Sequence, residues 1–431
     1  METTSPSRTI WSLSISILIW ILTVSGCDGG SYPTQSLTLM TDSILTTNIL
    51  PLSTSTSTTT AILLPTPIPS QVPTNPPTPI PTVTLSPLED WQIGYTAIVI
   101  DDQNDPDNHH HWEIQTIQLN NLNPVRLVDN TKDNYAPKWS PDGKRVAYIS
   151  YDKNTSSRPP SLIVLDLETG LSQEIEDVWT FEWSKDGQTI IYCEFGSWTA
   201  QNKYRYYLVK MDDITHHRVL LVAPWHATEL HWSPNKDQIL AVGSAEVGED
   251  LSTHFYLIDL DGRVQQIPLL KIPRGHASWH PDGEKIAYDC FTEDYQKPNE
   301  IRMINLRTLE EQEMTHSGEI AEYPEWSPNG KYLAYIGLPV PVLPDVIPLV
   351  YILVVETGEV TKPMQSGVHL DYPTWSPDGK YLAFIQDAKI ITETLRTKSF
   401  ALYIYELDTG RIVRLLTKGL EREAPVWIPK H

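Results

Sequence analysis

The sequence predicts an all-β protein, a β-propeller of four-stranded blades, on three observations. A Trp-Ser-Pro-Asp-Gly pattern recurs after residue 89, the tryptophans of successive copies lie 44 to 52 residues apart, and short apolar strand patterns carrying Tyr or Phe follow each copy. The composition agrees with many short strands and tight turns, with 14 Trp and 20 Tyr against 6 Phe, 35 Pro and 21 Gly in 431 residues.

The first thirty residues read as an address rather than as part of the fold. After Arg8, the apolar segment Ile10 to Val24 is broken only by Ser and Thr. It is short for a bilayer span and has the length of a signal-peptide core, which implies export. Leu22-Thr23-Val24-Ser25-Gly26-Cys27 resembles the bacterial lipobox, in which small residues precede a cysteine that is lipidated and becomes the mature N-terminus. The resemblance implies a signal peptide over 1–26 and lipidation at Cys27, with the protein on the outer face of the cytoplasmic membrane or in the cell envelope. An ordinary signal peptide and an uncleaved anchor are the alternatives. Residues 27–88 follow as a tether rich in Thr, Ser and Pro, with 11 prolines between Ser31 and Leu88. Such a stretch has too little apolar surface to offset the entropy of ordering, and reads as a disordered spacer, unmodified or O-glycosylated.

The repeat occupies 89–431. Lys138-Trp139-Ser140-Pro141-Asp142-Gly143 is followed by copies centred on Trp183, Trp232, Trp279, Trp326 and Trp375, and a degenerate Val426-Trp427-Ile428-Pro429 ends the chain. In each copy Pro presets φ and Asp-Gly reverses the chain, so a strand precedes the turn and another follows it. The following strands are small and apolar with one aromatic, as in Val146-Ala147-Tyr148-Ile149 and Leu333-Ala334-Tyr335-Ile336. The stretch 94–130 has three strand patterns without the Trp turn, and Trp427 supplies the missing strand. Closing the ring there gives seven blades, with six or eight as the other possible counts. This repeat resembles that of TolB-type (WD40-like) propellers and of the propeller domain in prolyl oligopeptidase relatives. The hydrolase domain of those relatives is not implied, because no Gly-x-Ser-x-Gly elbow occurs.

The net charge is −22, and 31 of the 32 basic and 51 of the 54 acidic residues follow Leu88. No basic stripe is present, which argues against nucleic acid as a partner. Cys193 and Cys290 fall in non-neighbouring blades and are read as packing residues without a disulfide.

Strand direction puts the variable connections on one face, namely 101–111, 151–160, 195–203, 244–253, 291–299, 338–348 and 387–398. Three or four residues before the tryptophans lie Tyr135, Trp179, Glu229, His276, Glu322, Asp371 and Glu423. They read as strand starts ringing the channel mouth, an acidic and aromatic funnel for a cationic peptide or a glycan; the plainer reading is that they satisfy strand-start backbone groups. Asp102, Asp105, Asp107, His109 and His111 offer oxygen and imidazole ligands for Ca²⁺ or a transition metal, without EF-hand spacing, so no cofactor is expected outright. The function implied is a non-enzymatic, monomeric binding module for an envelope or extracellular protein or peptide. The alternatives are a propeller enzyme acting on a polysaccharide or lactone with a metal in the funnel, and a structural spacer.

Overall fold

The computed structural model describes residues 91–100, 110–120, 123–128, 132–153, 159–194, 203–245, 252–291, 299–315, 319–339, 348–364, 370–388, 399–415 and 425–429. The leader, Cys27, the tether and the candidates Asp102, Asp105, Asp107, His109 and Glu423 lie outside the described residues. The backbone of Asp371 is described, but not its side chain.

Seven four-stranded antiparallel sheets form the ring. Blade 1 holds β1 (Gln92–Ile100), β2 (His110–Gln118) and β3 (Pro124–Arg126). Blade 2 holds β4 (Asp133–Trp139), β5 (Arg145–Tyr151), β6 (Ser161–Asp166) and β7 (Ser172–Ile175). Blade 3 holds β8 (Val178–Trp183), β9 (Thr189–Glu194), β10 (Tyr204–Lys210) and β11 (Asp213–Ala223). Blade 4 holds β12 (Trp225–Trp232), β13 (Gln238–Ala245), β14 (Thr253–Asp259) and β15 (Val264–Gln266). Blade 5 holds β16 (Pro273–Trp279), β17 (Lys285–Cys290), β18 (Glu300–Asn305) and β19 (Glu311–Glu313). Blade 6 holds β20 (Glu319–Trp326), β21 (Tyr332–Pro339), β22 (Leu349–Val354) and β23 (Val360–Thr361). Blade 7 holds β24 (Leu370–Trp375), β25 (Tyr381–Ala388), β26 (Ser399–Glu406) and β27 (Ile412–Leu415). The last strand, β28 (Val426–Ile428), returns to blade 1, where Ile93 faces Trp427 and Gly94 faces Val426. The expected seven-bladed count and closure by the Trp427 strand are therefore what the fold shows, and pairing both ends of the propeller in one sheet leaves no open seam.

Period-two alternation builds the core between blades rather than within them. In β5, Val146 and Tyr148 pack towards blade 1, with Ile114 and Ile428, while Ala147 and Ile149 pack towards blade 3, with Phe181 and Trp183. Every other seam has the same two-sided arrangement, so each small-apolar-aromatic strand serves two interfaces. Of the fourth strands, β3 and β15 are exposed at every residue.

The turn chemistry explains the repeated motif. Ser140 donates from Oγ to Asp142 Oδ1 (2.6 Å), its carbonyl accepts from Gly143 N (2.7 Å), and Gly143 sits at φ 67°. The same serine hydroxyl accepts from Arg145 N (3.0 Å), fastening the next strand. Ser184, Ser327 and Ser376 repeat this bond to Asp186, Asn329 and Asp378. Tryptophan then links the blades. The indoles of Trp183, Trp279, Trp375 and Trp427 donate to the carbonyls of Lys138, His231, Glu325 and Thr374, each one residue before the preceding blade's tryptophan. Cys193 and Cys290 are free and buried, facing the blade 3–4 and blade 4–5 seams respectively.

Candidate functional site

The innermost strands β4, β8, β12, β16, β20, β24 and β28 line the channel, and in six of them the ladder slips just before the tryptophan. In β4, Tyr135 faces Ile149 while Lys138 faces Ala147, so one extra residue bulges out. The sequence reading placed the funnel residues at strand starts. The structure corrects this for Tyr135, Glu229, His276 and Glu322, which lie inside the strands, at the bulges, whereas Trp179 and Asp371 are the second residues of β8 and β24. At three of the bulges, in β4, β20 and β24, a residue followed by Pro takes left-handed backbone: Ala136, Tyr323 and Tyr372, at φ 52°, 56° and 44°.

Blades 4 to 7 gather Glu229, His276 and Glu322 with Tyr323 and Tyr372. His276 donates from Nδ1 to Asp289 Oδ2 (2.8 Å), and its backbone N donates to Asp289 Oδ1 (3.1 Å). The His276 ring lies 4.0 Å from that of Tyr323, whose ring is edge-on to Tyr372 at 4.7 Å. Glu322 accepts from Arg274 and from Asn299 Nδ2 (3.0 Å). Glu229 is bonded to His231 (2.9 Å). Burial disfavours the imidazolium of His276, but Asp289, with Glu229 and Glu322, outweighs it and raises the pKa to about 9. Asp289 is wholly buried, yet His276 and Arg274 hold it below the usual carboxylate range. Enclosure in the channel wall raises Glu325 to about 7, against the Ser278 hydrogen bond and His231.

On the other blades the funnel candidates are aromatic. Tyr135 packs edge-on to Trp112 (5.5 Å), and Trp179 to His226 (6.3 Å). On blade 5, Phe291 and Ile272 remain 40% and 52% exposed, with the Arg274 guanidinium 5.4 Å over the Phe291 ring.

Sequence reasoning missed Asp289, Arg274, Lys138, Glu182 and Glu325. Asp289 carried a signal, since the matching positions in blades 2, 3, 4, 6 and 7 are Ile149, Cys193, Val242, Ile336 and Ile385. The residues just before the tryptophans also meet across blades, as Lys138 Nζ donates to Glu182 Oε2 (2.6 Å). His111, expected in a loop, lies in β2, buried, with Nε2 bonded to Glu113 (3.0 Å); Glu113 in turn pairs with Arg126. Among the described residues, no three His, Cys, Asp or Glu side chains converge as a metal set.

No family model matches the chain. The Tol-Pal system protein TolB of Alcanivorax borkumensis is 42% identical over 77 residues, 18% of this chain and 17% of that protein. The chain is similar to TolB. Its matches cover between 17% and 29% of the length of the curated relatives. Among solved structures, the β-propeller domain of the trilobed protease from Pyrococcus furiosus aligns with a TM-score of 0.55 at 15% identity, over 77% of this chain and 96% of that one. An oligogalacturonate lyase from Vibrio parahaemolyticus aligns with a TM-score of 0.53 at 16% identity, over 74% and 91%. These likenesses share the propeller fold with proteins of different activity. The Pyrococcus propeller is described as having an open velcro topology, whereas here β28 pairs with β1.

Proposed function

We propose that this protein is an exported, lipid-anchored propeller that binds a basic segment of an envelope or extracellular protein at the mouth of its channel. The observation that carries the reading is the contact run His276, Tyr323 and Tyr372 across three blades, flanked by Glu229 and Glu322. The aromatic faces of Tyr323 and Tyr372 on rigid inner strands suit Lys and Arg side chains through ring contacts. The similarity to TolB supports a protein-binding module over a catalytic one. Crosslinking in cells with the full chain tests it. A Tyr323→Ala, Tyr372→Ala double variant is expected to lose crosslinks that wild type and the turn-face variant Lys331→Ala retain, and unchanged crosslinks in the double variant would overturn the reading.

Anchoring rests on the sequence around Cys27. Cys27→Ala is expected to release the exported protein into the soluble fraction, and a variant still bound to the membrane would rule lipidation out.

The fold shared with an oligogalacturonate lyase supports a second reading, an enzyme acting on a polysaccharide or lactone. Among the described residues, the mouth brings together no three His, Cys, Asp or Glu side chains as a metal set. Turnover by the purified protein in a polysaccharide and lactone screen, lost in His276→Ala, would replace the binding reading.

A further inference from the structure

Asp289 is fully buried at a ladder position where blades 2, 3, 4, 6 and 7 carry Ile, Cys or Val. A buried carboxylate is costly unless hydrogen bonds compensate it. This one accepts three, from His276 N (3.1 Å), His276 Nδ1 (2.8 Å) and, from the next blade, Tyr323 N (3.4 Å). Two of the three fix the orientation of one imidazole. The Nδ1–H is committed to the wall, so Nε2 leaves the ring on the side turned away from Asp289. Nε2 has no hydrogen-bond partner among the described residues, and the side chain is 25% exposed on the innermost strand of its blade.

The groups around the ring decide what that nitrogen can meet. Against the penalty of burial, Asp289 of β17, Glu229 of β12 and Glu322 of β20 hold the ring protonated, and Arg274 of β16 acts on Asp289 in turn. With both nitrogens carrying hydrogen, Nε2 is a donor. An anion brought to it would meet the fields of Glu229, Glu322 and Asp289, so the acceptor that fits is a neutral oxygen. The Tyr323 ring of β20 lies 4.0 Å from the imidazole and the Tyr372 ring of β24 lies 6.4 Å from it. The longer separation is about the length of two extended residues. A chain whose Lys or Arg lies on Tyr372 therefore has a backbone carbonyl within reach of Nε2.

We propose that His276 donates from Nε2 to a main-chain carbonyl of the basic segment bound at the channel mouth, so that the imidazole holds an extended backbone while the tyrosines hold a cationic side chain. The inference rests on the channel-mouth binding proposed above. Asp289 is then a positioning residue, which turns the ring and keeps Nε2 a donor. A hydrogen bond to a charged group contributes roughly tenfold to a hundredfold in affinity. The neutral ring keeps its hydrogen on Nδ1, towards Asp289, and presents Nε2 as an acceptor that cannot make this bond.

The test is fluorescence anisotropy of a labelled hexapeptide of Gly with two Arg, whose guanidinium charge is constant over the range, with the full chain from pH 6 to 10. Wild-type affinity is expected to be level to about pH 8 and to fall roughly tenfold by pH 10, as the ring loses its proton near 9. In Asp289→Asn the fall is expected at least one pH unit lower. His276→Gln, whose amide is a donor that does not titrate, is expected to bind at pH 7 within about threefold of wild type and to show no fall by pH 10. Melting curves at each pH confine the comparison to folded protein. Wild-type affinity that is level from pH 7 to 10, an Asp289→Asn profile that overlays the wild type, or a His276→Gln variant that binds no peptide overturns the hydrogen bond; if the Tyr323→Ala, Tyr372→Ala double variant has nonetheless lost the peptide, the channel-mouth reading stands. Wild type that does not bind the peptide, or a tyrosine double variant that binds it equally, overturns both.

Discussion

Replacing Asp289 by Asn removes the charge under His276 while keeping its shape. His276 rises from an ordinary 6.5 to about 9 in the fold, mainly because the Asp289 carboxylate outweighs the penalty of burial. A shift of that size corresponds to about 3 kcal/mol of differential stabilisation of the protonated ring. Because the folded pKa is raised, this stability is fully present below about pH 6.5 and is lost as pH rises through about 9. The pKa of Asp289 is lowered, so its share is present above the usual carboxylate range and is lost on acidification. Asp289→Asn should therefore be less stable than wild type by about 3 kcal/mol at pH 6, with the gap closing towards pH 10. The ring itself should titrate near or below neutrality in the variant, since Glu229 and Glu322 remain but the bonded carboxylate does not. Histidine ring resonances followed by NMR from pH 5 to 10, with urea unfolding at pH 6, 7.5 and 10, read both effects. Titration of wild-type His276 near 6.5, or a stability gap that does not change with pH, would refute the reasoning.

Other parts of the ring give sharper structural tests. Trp375 donates to the Glu325 carbonyl (3.1 Å), whereas the buried indole N–H of Trp326 has no partner among the described residues. Trp375→Phe should thus destabilise by about 1 kcal/mol more than Trp326→Phe in chemical unfolding, and equal losses would dismiss the blade-to-blade bond as a stabilising contact. At the closing blade, a methyl group on Gly94 would run into the Trp139 ring of blade 2. Gly94→Ala is expected to cost about 1 to 3 kcal/mol and to lower the melting temperature, and an unchanged melt would show that the seam has slack.

The ring was legible because its signals are local and repeated. One Trp-Ser-Pro-Asp-Gly turn fixes a hairpin, and the alternation in Val146-Ala147-Tyr148-Ile149 already states which side chains serve which seam. The orphan strand patterns of residues 94–130 and the orphan Trp427 pointed to each other for the same reason. The site was legible only in part. Position relative to the tryptophans located Glu229, His276 and Glu322, but an offset in sequence says nothing of a bulge, so the strand-start reading failed. Asp289 lies on the second strand, and only its meeting with His276 across the ladder gives it a role. Lys138 and Glu182 are 44 residues apart and meet because neighbouring blades repeat the same slot.

The bulges permit one more argument about how a repeated backbone is given a single functional sector. Ala136, Tyr323 and Tyr372 occupy the same slot, three residues before the tryptophan, in left-handed backbone that disfavours any side chain with Cβ. In ordinary strand, Ala→Gly costs roughly 0.5 to 1 kcal/mol. At Ala136 the sign should reverse or vanish, because glycine relieves a left-handed penalty of about 1 to 2 kcal/mol that opposes its greater freedom in the unfolded chain. Tyr323→Gly gains the same relief but loses the ring contacts to His276 and Tyr372, each of the order of 1 kcal/mol beyond buried area. The difference between the two substitutions, measured by urea unfolding, therefore isolates what the tyrosine contributes to the mouth. A loss above about 1 kcal/mol for Ala136→Gly would mean that the slot is not strained. The tyrosines would then be ordinary packing residues, not side chains retained against their backbone for the surface they present.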